Sequence, residues 1–317
     1  MCALFGFLDY GHKLPVRVLQ KLVQLLANAS EVRGSHACGI AYNQGNQLTI
    51  YKRPKPAHKL HLHIPKGTSA VMGHTRFTTQ GSEKQNYNNH PFRGTAGTAF
   101  ALAHNGVLYN DRSLRWEKHL PETRIETDSY VAVQLIEAER KLNFDSLRSM
   151  AEAVSGNFTF TLLDADDRLW FVKGDNPLYL IHFPELGLYL YSSTPDIMTE
   201  ALKRSALHWM RYEVLDADEG DLLCIHPDGS IDRDAFRPMM YASHYKWTMR
   251  SICGWDDIAD STDDEDNISQ LLDICGYFGV TEDEVRYLRE LGYSCDEIEE
   301  FLFDPLAFHE AMMCEEI

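Results

Sequence analysis

The sequence predicts an α+β protein in which helices cover two β-sheets, followed by a small acidic helical tail. Two observations carry the first part: β-like runs near the start of the chain recur between residues 157 and 193, and helical patterns lie between them. Strands, helices and strands in blocks are typical of a layered fold and not of an alternating parallel sheet. The third observation is that acidic residues crowd the end of the chain beyond Trp255.

Six elements are predicted in the first 110 residues. "CALFGFL" predicts a strand with a close backbone approach at Gly6. An amphipathic helix begins near Pro15, with its apolar face at Val16, Leu19, Leu22, Val23 and Leu26. "ACGIAYN", "LTIYKR" and "SAVMGHTRF" predict three strands, the first two joined by a hairpin at "GNQ". "AFALAHNG" predicts a further buried strand that ends at a turn.

Helices and a meander follow. Residues 127–140 predict a helix capped by Thr127 or Asp128, and a second helix is predicted around 144–154. A four-stranded meander is predicted at "NFTFTLLD", "RLWFVKG", "LYLIHF" and "GLYLYSS". "SSTPDIMTEALKR" predicts another capped helix, and "GDLLCIHPDGSI" a closing hairpin that turns at Asp228-Gly229.

The rest of the chain changes character. Residues 1–235 form the predicted main domain, and residues 236–267, with the acidic run "DSTDDEDN", predict a linker. Residues 268–317 predict a small helical module. Three or four short helices are expected there. Two of them open with capping boxes, Thr281 with Glu284 and Ser294 with Glu297, and Gly292 stands at a helix C-terminus.

Charge and cysteine content narrow the class of protein. The net charge is −17, but residues 255–317 hold 20 acidic and two basic residues, so residues 1–254 carry +1. A neutral body argues against nucleic-acid binding. No apolar run is long enough to span a membrane, and the opening run lacks the basic leader of a signal peptide. Seven scattered cysteines without a CxxC pair favour reduced thiols and the cytoplasm.

A cysteine at position 2 is followed by five strings in a fixed order: "RGSHACGIA", "GHTRFTTQG", "NNHPF", "AHNGVLYN" and "ETDSY". Together they resemble, over roughly residues 2–230, the glutaminase domain of class II glutamine amidotransferases. The resemblance implies the four-layer αββα sandwich of N-terminal-nucleophile hydrolases. It also implies a glutaminase domain without a fused synthase domain, because the remaining stretch of about 85 residues is too short to hold one.

The resemblance assigns the reaction chemistry to three residues. Cys2 is the nucleophile, and its own α-amine becomes the base once Met1 is removed. A thiol with a pKa of about 8.5 and an amine with one of about 7.7–8.0 can exchange a proton near neutral pH. The Asn105 side-chain amide and the Gly106 N–H are the donors to the oxyanion of the tetrahedral intermediate.

Five further residues are assigned to substrate binding by the same resemblance. Arg76 pairs with the glutamine α-carboxylate, a task that suits a planar guanidinium, and Asp128 takes the α-ammonium group. Thr79, His90 and Arg33 occupy positions that line the pocket.

Each of the principal residues also has a plain structural interpretation when taken alone. Cys2 suits a buried edge strand, Asn105-Gly106 suits a turn, Arg76 suits a strand surface, and Asp128 suits a helix N-cap.

The chain departs from the family at four positions. Phe77, Gln80, His36 and Phe92 stand where other members of the family more often have different residues. These differences concern the branch of the family to which the chain is similar and the closure of a loop over glutamine. The run "HKLHLHI" has no acidic or thiol partner at metal-ligand spacing, and no Gly-rich phosphate loop is present. The sequence therefore implies no metal and no cofactor.

The predicted activity is hydrolysis of the side-chain amide of glutamine, or of a related γ-glutamyl amide, through a thioester on Cys2. The ammonia either goes to a separate acceptor protein or is simply released. The alternative is a catalytically silent glutamine-binding or scaffold module that acts through its helical tail. Such a tail is equally compatible with a homo-oligomer.

Overall fold

The computed structural model describes residues 2–45, 47–237, 271–272, 275, 280–293, 295–303 and 311–312. The chain divides into two compact units, residues 1–239 and 240–317. Most of the predicted linker, residues 236–267, lies outside the described residues.

The first unit is built from strands and helices that follow one another in blocks. Its described residues contain thirteen strands: β1 Ala3–Asp9, β2 Ala37–Gln44, β3 Gln47–Arg53, β4 Ala70–Arg76, β5 Phe92–Ala96, β6 Thr98–Leu108, β7 Gly156–Asp164, β8 Leu169–Lys173, β9 Tyr179–Phe183, β10 Leu188–Ser192, β11 Glu213–Leu215, β12 Asp221–Ile225 and β13 Ile231–Ala235. They also contain five α-helices: α1 Val16–Ser30, α2 Asp111–Glu117, α3 Tyr130–Ala138, α4 Phe144–Ala153 and α5 Pro195–Lys203.

The strands form two antiparallel sheets. The first sheet has the order β11-β9-β10-β1-β4-β2-β3, and the second has the order β13-β12-β8-β7-β6-β5. Three apolar cores separate the layers. One joins α1 and α5 to the first sheet, one lies between the sheets, and one joins the second sheet to α3 and α4. The result is the four-layer αββα sandwich that the sequence predicts.

The outer layer of the first sheet follows directly from the sequence. Helix α1 begins after Pro15 and buries the apolar stripe Leu19, Leu22, Val23, Leu26 and Ala27. Helix α5 begins at Pro195 after the capping residue Thr194, whose hydroxyl accepts a hydrogen bond from the Ile197 N–H. The predictions of both helices are confirmed.

The centre of the first sheet places the start of the chain beside the end of β4. Strand β1 lies between β10 and β4, and Ala3 is paired with Thr75. Every residue of β1 is buried, so β1 is a central strand and not an edge strand. Residue 2 is thereby held next to Arg76, the last residue of β4.

The strand that carries "HNG" does not end at a turn, and that part of the prediction is wrong. Strand β6 continues to Leu108, with Asn105 paired to Thr159 and Gly106 to Phe158 on β7. The long partner strand supplies hydrogen bonds past the glycine, which local turn propensity does not anticipate.

The helix predicted over residues 127–140 is shorter than expected. Helix α3 starts at Tyr130 after Ser129, and no side chain caps its first turn. Asp128 makes other contacts, described below, so the capping role offered for Thr127 or Asp128 is wrong. Among the α-helices and strands of the first unit, three short ones are not predicted by the sequence: α2, β5 and β11.

The second unit is described only in part. Helices α6 (Glu282–Glu290) and α7 (Cys295–Phe303) belong to it, and the Thr281–Glu284 capping box of α6 is present. Gly292 follows α6 with a φ of +94°, as a helix C-terminus favours. Ser294 lies outside the described residues. In the parts of the chain that the structure describes, no helix combines the length and apolar character needed to cross a membrane.

Gly6 makes the contact between β1 and β4 testable. A Cβ atom at this position would lie 2.1 Å from the Val71 carbonyl oxygen and 2.7 Å from Tyr191 Oη. We expect Gly6→Ala to lower the free energy of unfolding by about 3 kcal/mol, because a backbone oxygen cannot move aside without shifting a strand.

Gly67→Ala is the matched control, measured by the same urea unfolding. Nothing lies within 4 Å of a Cβ there, so only the positive φ of +86° opposes alanine, at a cost of about 1 kcal/mol. Equal losses in the two variants would contradict the close approach of β1 to β4.

Candidate active site

Cys2 lies buried at the end of the first sheet, immediately before β1. Its Sγ is 3.4 Å from the Phe77 carbonyl oxygen, and its own carbonyl oxygen accepts a hydrogen bond of 2.9 Å from Arg33 Nε. Burial raises the pKa of the Cys2 thiol, while the hydrogen bond to Phe77 and the positive charge of Arg76 act in the opposite direction. Arg33, predicted to line the pocket, thus anchors the backbone of Cys2.

Arg76 is a buried cation that joins separate segments of the chain. Only 2% of it is exposed. Its Nη1 donates to Asn89 Oδ1 at 2.7 Å, and its Nη2 donates to the carbonyl oxygens of Gln80 (2.5 Å) and Gly81 (2.8 Å) and, at 3.3 Å, to Thr127 Oγ1. The alternative of a surface strand arginine is therefore wrong. A guanidinium fixed on several sides presents a stable charge to a ligand.

The loop after β4 closes around this arginine. Phe77 is 41% exposed and stacks on His36, with ring centroids 5.0 Å apart. The Thr78 N–H donates to His36 Nδ1 at 3.0 Å. Thr79 and Gln80 are half-buried in the same loop. Two of the positions that depart from the family pattern, His36 and Phe77, are thus in direct contact.

Asp128 is a buried carboxylate beside the end of β6. Its Oδ2 accepts from the Leu108 N–H at 2.7 Å, and its Oδ1 accepts from Ser129 Oγ at 3.3 Å. Burial raises its pKa, an effect that these hydrogen bonds and the charge of Arg76 oppose. Its hydrogen bonds anchor it to β6 and to the residue before α3.

Asn105 and Gly106 are consecutive residues of β6 with unusual surroundings. Asn105 is fully buried, yet neither its Nδ2 nor its Oδ1 has a hydrogen-bond partner among the described residues. Buried amides are nearly always paired, because an unpaired one costs about 1–3 kcal/mol. Gly106 has a φ of +142°, and a Cβ there would lie 1.8 Å from the Asn157 carbonyl oxygen, so only glycine fits.

Three buried histidines connect the sheets behind these residues. His74 Nε2 lies 2.9 Å from the His104 carbonyl oxygen, and His104 Nδ1 lies 2.7 Å from Ser129 Oγ. His90 packs against His74 with ring centroids 4.2 Å apart, and neither of its ring nitrogens has a partner in the described chain. Burial lowers the pKa of His74 and of His104 to about 3, and lowers that of His90 well below 6.5.

The fold brings the principal predicted residues to one end of the sandwich. Cys2, Arg76 and Asp128 are close enough for the charges of the latter two to act on the Cys2 thiol. The bond from His74 to the His104 carbonyl places Asn105 beside β4. These residues come from positions up to 126 apart in the sequence, and the two sheets and α3 bring them together.

Two contributors to this end of the fold were not singled out in the sequence. Asn89 binds Arg76 directly, and Lys52 donates to the carbonyl oxygen of Asn89. Asn89 is part of "NNHPF", one of the five strings on which the resemblance rests, so the sequence did point to this segment. Lys52 stands in a β-like run with an unremarkable pattern, and no local signal marks it.

No metal centre is found in the described part of the chain, where no three or more His, Cys, Asp or Glu side chains are grouped to hold an ion. Of the "HKLHLHI" histidines, His58 pairs with Glu31 at 2.8 Å, and His61 and His63 are exposed.

The neutral histidines predict an acid-sensitive fold. Below about pH 6.5 an unfolded histidine takes up a proton that the buried one refuses, so the contribution to stability is complete above 6.5 and is lost as the pH falls. The loss is about 1.4 kcal/mol per histidine for each pH unit. We expect the wild-type protein to lose about 2 kcal/mol more between pH 7 and 5 than His90→Phe, which removes this titration without removing a hydrogen bond.

Urea unfolding at the two pH values measures this difference, with the exposed His61→Gln as a control that follows the wild type. Equal losses in the wild type and in His90→Phe would show that His90 titrates normally.

Known proteins are similar to this region in both sequence and fold. Residues 74–200 match the sequence model of the glutamine amidotransferase domain. The chain is 31% identical over 186 residues to the glutamine–fructose-6-phosphate aminotransferase (isomerizing) of Bacillus cereus, and 31% identical over 195 residues to that of Staphylococcus aureus. These matches cover 56% and 57% of this chain but only 30% of each relative.

Two solved structures show the same fold. One is glutamine phosphoribosylpyrophosphate amidotransferase from B. subtilis, with a TM-score of 0.57 at 20% identity, and the other an allosteric regulatory enzyme of purine biosynthesis, with 0.58 at 18%. Each alignment covers 74% of this chain and 49% of the other. Residues 74–200 of this chain therefore match a glutamine amidotransferase domain, and the body of the chain has the fold of solved amidotransferases.

Proposed function

We propose that the domain hydrolyses the side-chain amide of glutamine, or of a related γ-glutamyl amide, to the acid and ammonia through a thioester on Cys2. The observation that carries this proposal is the convergence of one thiol, one buried guanidinium, one buried carboxylate and one unpaired amide at the same end of the sandwich. Each matches one requirement of amide hydrolysis on an amino acid.

The reaction begins at the Cys2 thiol. Removal of Met1 frees the α-amine of Cys2, which accepts the thiol proton as sulfur adds to the amide carbon. The carbon–nitrogen bond of the tetrahedral intermediate then breaks, and the amine returns the proton to the departing nitrogen as ammonia leaves. Water then attacks the thioester carbon while the amine takes a proton from it. The carbon–sulfur bond breaks, the amine returns the proton to the sulfur, and the carboxylic acid leaves with the thiol restored.

The oxyanion of the intermediate is assigned to Asn105 and Gly106. The Asn105 amide is buried without a partner in the described chain, so a substrate oxygen would satisfy its Nδ2. A donor held in place before the reaction stabilises developing charge without reorganising. The glycine backbone, closed to any residue with a Cβ, supports the assignment of its N–H as the second donor.

The amino-acid end of the substrate is assigned to two opposite charges. Arg76 takes the α-carboxylate and Asp128 takes the α-ammonium group. Both are at least 98% buried, where an ionic hydrogen bond is stronger than in water. Thr79 and His90 complete the proposed pocket, and Arg33 holds the backbone of the nucleophile.

The fate of the ammonia is a separate proposal. The similar proteins from Bacillus cereus and Staphylococcus aureus are named glutamine–fructose-6-phosphate aminotransferases. The match covers only 30% of their length, so most of each of these proteins has no counterpart in the match. We propose that an acceptor outside the glutaminase domain receives the ammonia, and that residues 268–317 are an interaction module.

Replacement of the nucleophile tests the proposal. We expect Cys2→Ser to lower kcat for glutamine hydrolysis by at least about a thousandfold, because the hydroxyl is a far weaker nucleophile at neutral pH. Release of glutamate and ammonia is the measurement. Cys224→Ser is the matched control, since Cys224 is also buried but lies on β12 in the second sheet. Undiminished hydrolysis by Cys2→Ser, or none by the wild type, would overturn the proposal; in the second case the binding-module alternative would remain.

The oxyanion and carboxylate assignments predict different kinetic changes. Asn105→Ala should lower kcat about a hundred- to thousandfold with little change in KM, because its donor acts on the transition state. Arg76→Lys should raise KM about tenfold or more, because a single ammonium cannot replace a bidentate guanidinium. Steady-state kinetics separate the two effects, and the reverse pattern would contradict the assignment of the two residues.

A further inference from the structure

Lys52 is a half-buried cation near the end of β3 that holds one loop on both sides of a histidine. Its Nζ donates to the carbonyl oxygen of Asn89 and, at 3.0 Å, to that of Pro91. It also lies 4.9 Å from the centroid of the Phe92 ring. One ammonium group therefore fixes the backbone before and after His90.

The same loop holds the guanidinium in the proposed pocket. Asn89 is fully buried, and its Oδ1 accepts the 2.7 Å hydrogen bond from Arg76 Nη1. Its Nδ2 donates to the carbonyl oxygen of Glu83 at 2.8 Å, in the loop that closes over Arg76. Lys52 thus holds the backbone of the residue whose side chain holds Arg76.

Strand β2 closes one side of this loop. A Cβ at Gly39 on β2 would lie 2.3 Å from the His90 carbonyl oxygen and 2.8 Å from Lys52 Cβ. Strand β2 therefore packs against the loop directly. The loop is therefore held from two directions, by the backbone of β2 and by the hydrogen bonds from the Lys52 ammonium to the carbonyl oxygens of Asn89 and Pro91.

The placement of Lys52 is electrostatically unfavourable. Burial, and then the positive charge of Arg76, lower the pKa of Lys52 to about 8. In the described residues no carboxylate forms an ion pair with it. A half-buried Lys52 without an acidic partner beside the buried Arg76 destabilises the free protein, whereas an anion bound near the two cations is stabilised by them.

We propose that Lys52 is a positioning residue for substrate binding: through Asn89 it fixes the Arg76 guanidinium for the α-carboxylate of the substrate. This inference rests on the proposed function. Lys52 acts on the binding of the amino-acid end and not on the chemistry at Cys2. It therefore contributes to KM and leaves kcat nearly unchanged.

The test compares Lys52→Met, Lys52→Arg and Arg93→Met in the full chain. Arg93 on β5 donates to the Leu48 carbonyl oxygen on β3 at 2.9 Å. It is thus a cationic link to the same strand as Lys52, but it does not contact Asn89, and its variant is the matched control. Thermal unfolding of each variant at pH 7 reports whether it is folded.

The readouts are KM and kcat for L-glutamine, and the inhibition constant and maximal rate for labelling of Cys2 by 6-diazo-5-oxo-L-norleucine. We expect Lys52→Met to raise KM and the inhibition constant about tenfold while kcat and the labelling rate change less than about threefold. Lys52→Arg, which keeps the charge and the donors, should recover most of the affinity. Arg93→Met should match the wild type.

Two outcomes overturn the role of Lys52. One is a wild-type KM and inhibition constant in Lys52→Met, and the other is a loss of kcat without a change in KM. Should Lys52→Met not fold, Lys52→Gln, which retains a donor but no charge, must show the same rise in KM or the proposal fails. Absence of both hydrolysis and labelling in the wild type would instead overturn the proposed function, and the role of Lys52 with it.

Discussion

The buried guanidinium of Arg76 is the interaction on which the rest of the site depends. Its hydrogen bonds reach Gln80 and Gly81 in the loop after β4, Asn89 in the next loop, and Thr127 before α3. A cation 2% exposed is costly unless its donors are satisfied, so these segments must take up their positions together. The arginine therefore holds these segments together and is also the proposed partner of the substrate carboxylate.

The two-sheet architecture explains why Arg76 lies beside the nucleophile. Strand β1 is central in the first sheet, and its pairing with β4 sets Cys2 next to Arg76. Strand β6 of the second sheet brings Asn105 to the same end, where His74 bonds to the carbonyl of His104. The apolar core between the sheets fixes the distance between β1 and β6. The site is thus a consequence of sheet stacking, and its residues need not be near in sequence.

Local patterns were sufficient where a segment's own periodicity decides its structure. The apolar stripe of α1, the cap at Thr194 and the alternation of the β-like runs predicted α1, α5 and strands β7 to β10. The single meander predicted for these four strands is wrong, because β7 and β8 belong to the second sheet and β9 and β10 to the first. Local patterns failed where a distant partner decides. Gly106 indicated a turn, but pairing of β6 with β7 carries the strand past it. Asp128 indicated a cap, but its carboxylate bonds to β6. Lys52 binds a carbonyl 37 residues further along the chain, and no local rule contains that contact.

The central claim is that Cys2, with a free α-amine, attacks the amide of the substrate. The most direct measurement is intact mass and peptide mapping of the purified protein before and after incubation with 6-diazo-5-oxo-L-norleucine. The account predicts a chain that lacks Met1 and gains a single adduct, mapped to Cys2. Retention of Met1, or an unmodified Cys2 while other thiols react with a general alkylating reagent, would contradict it.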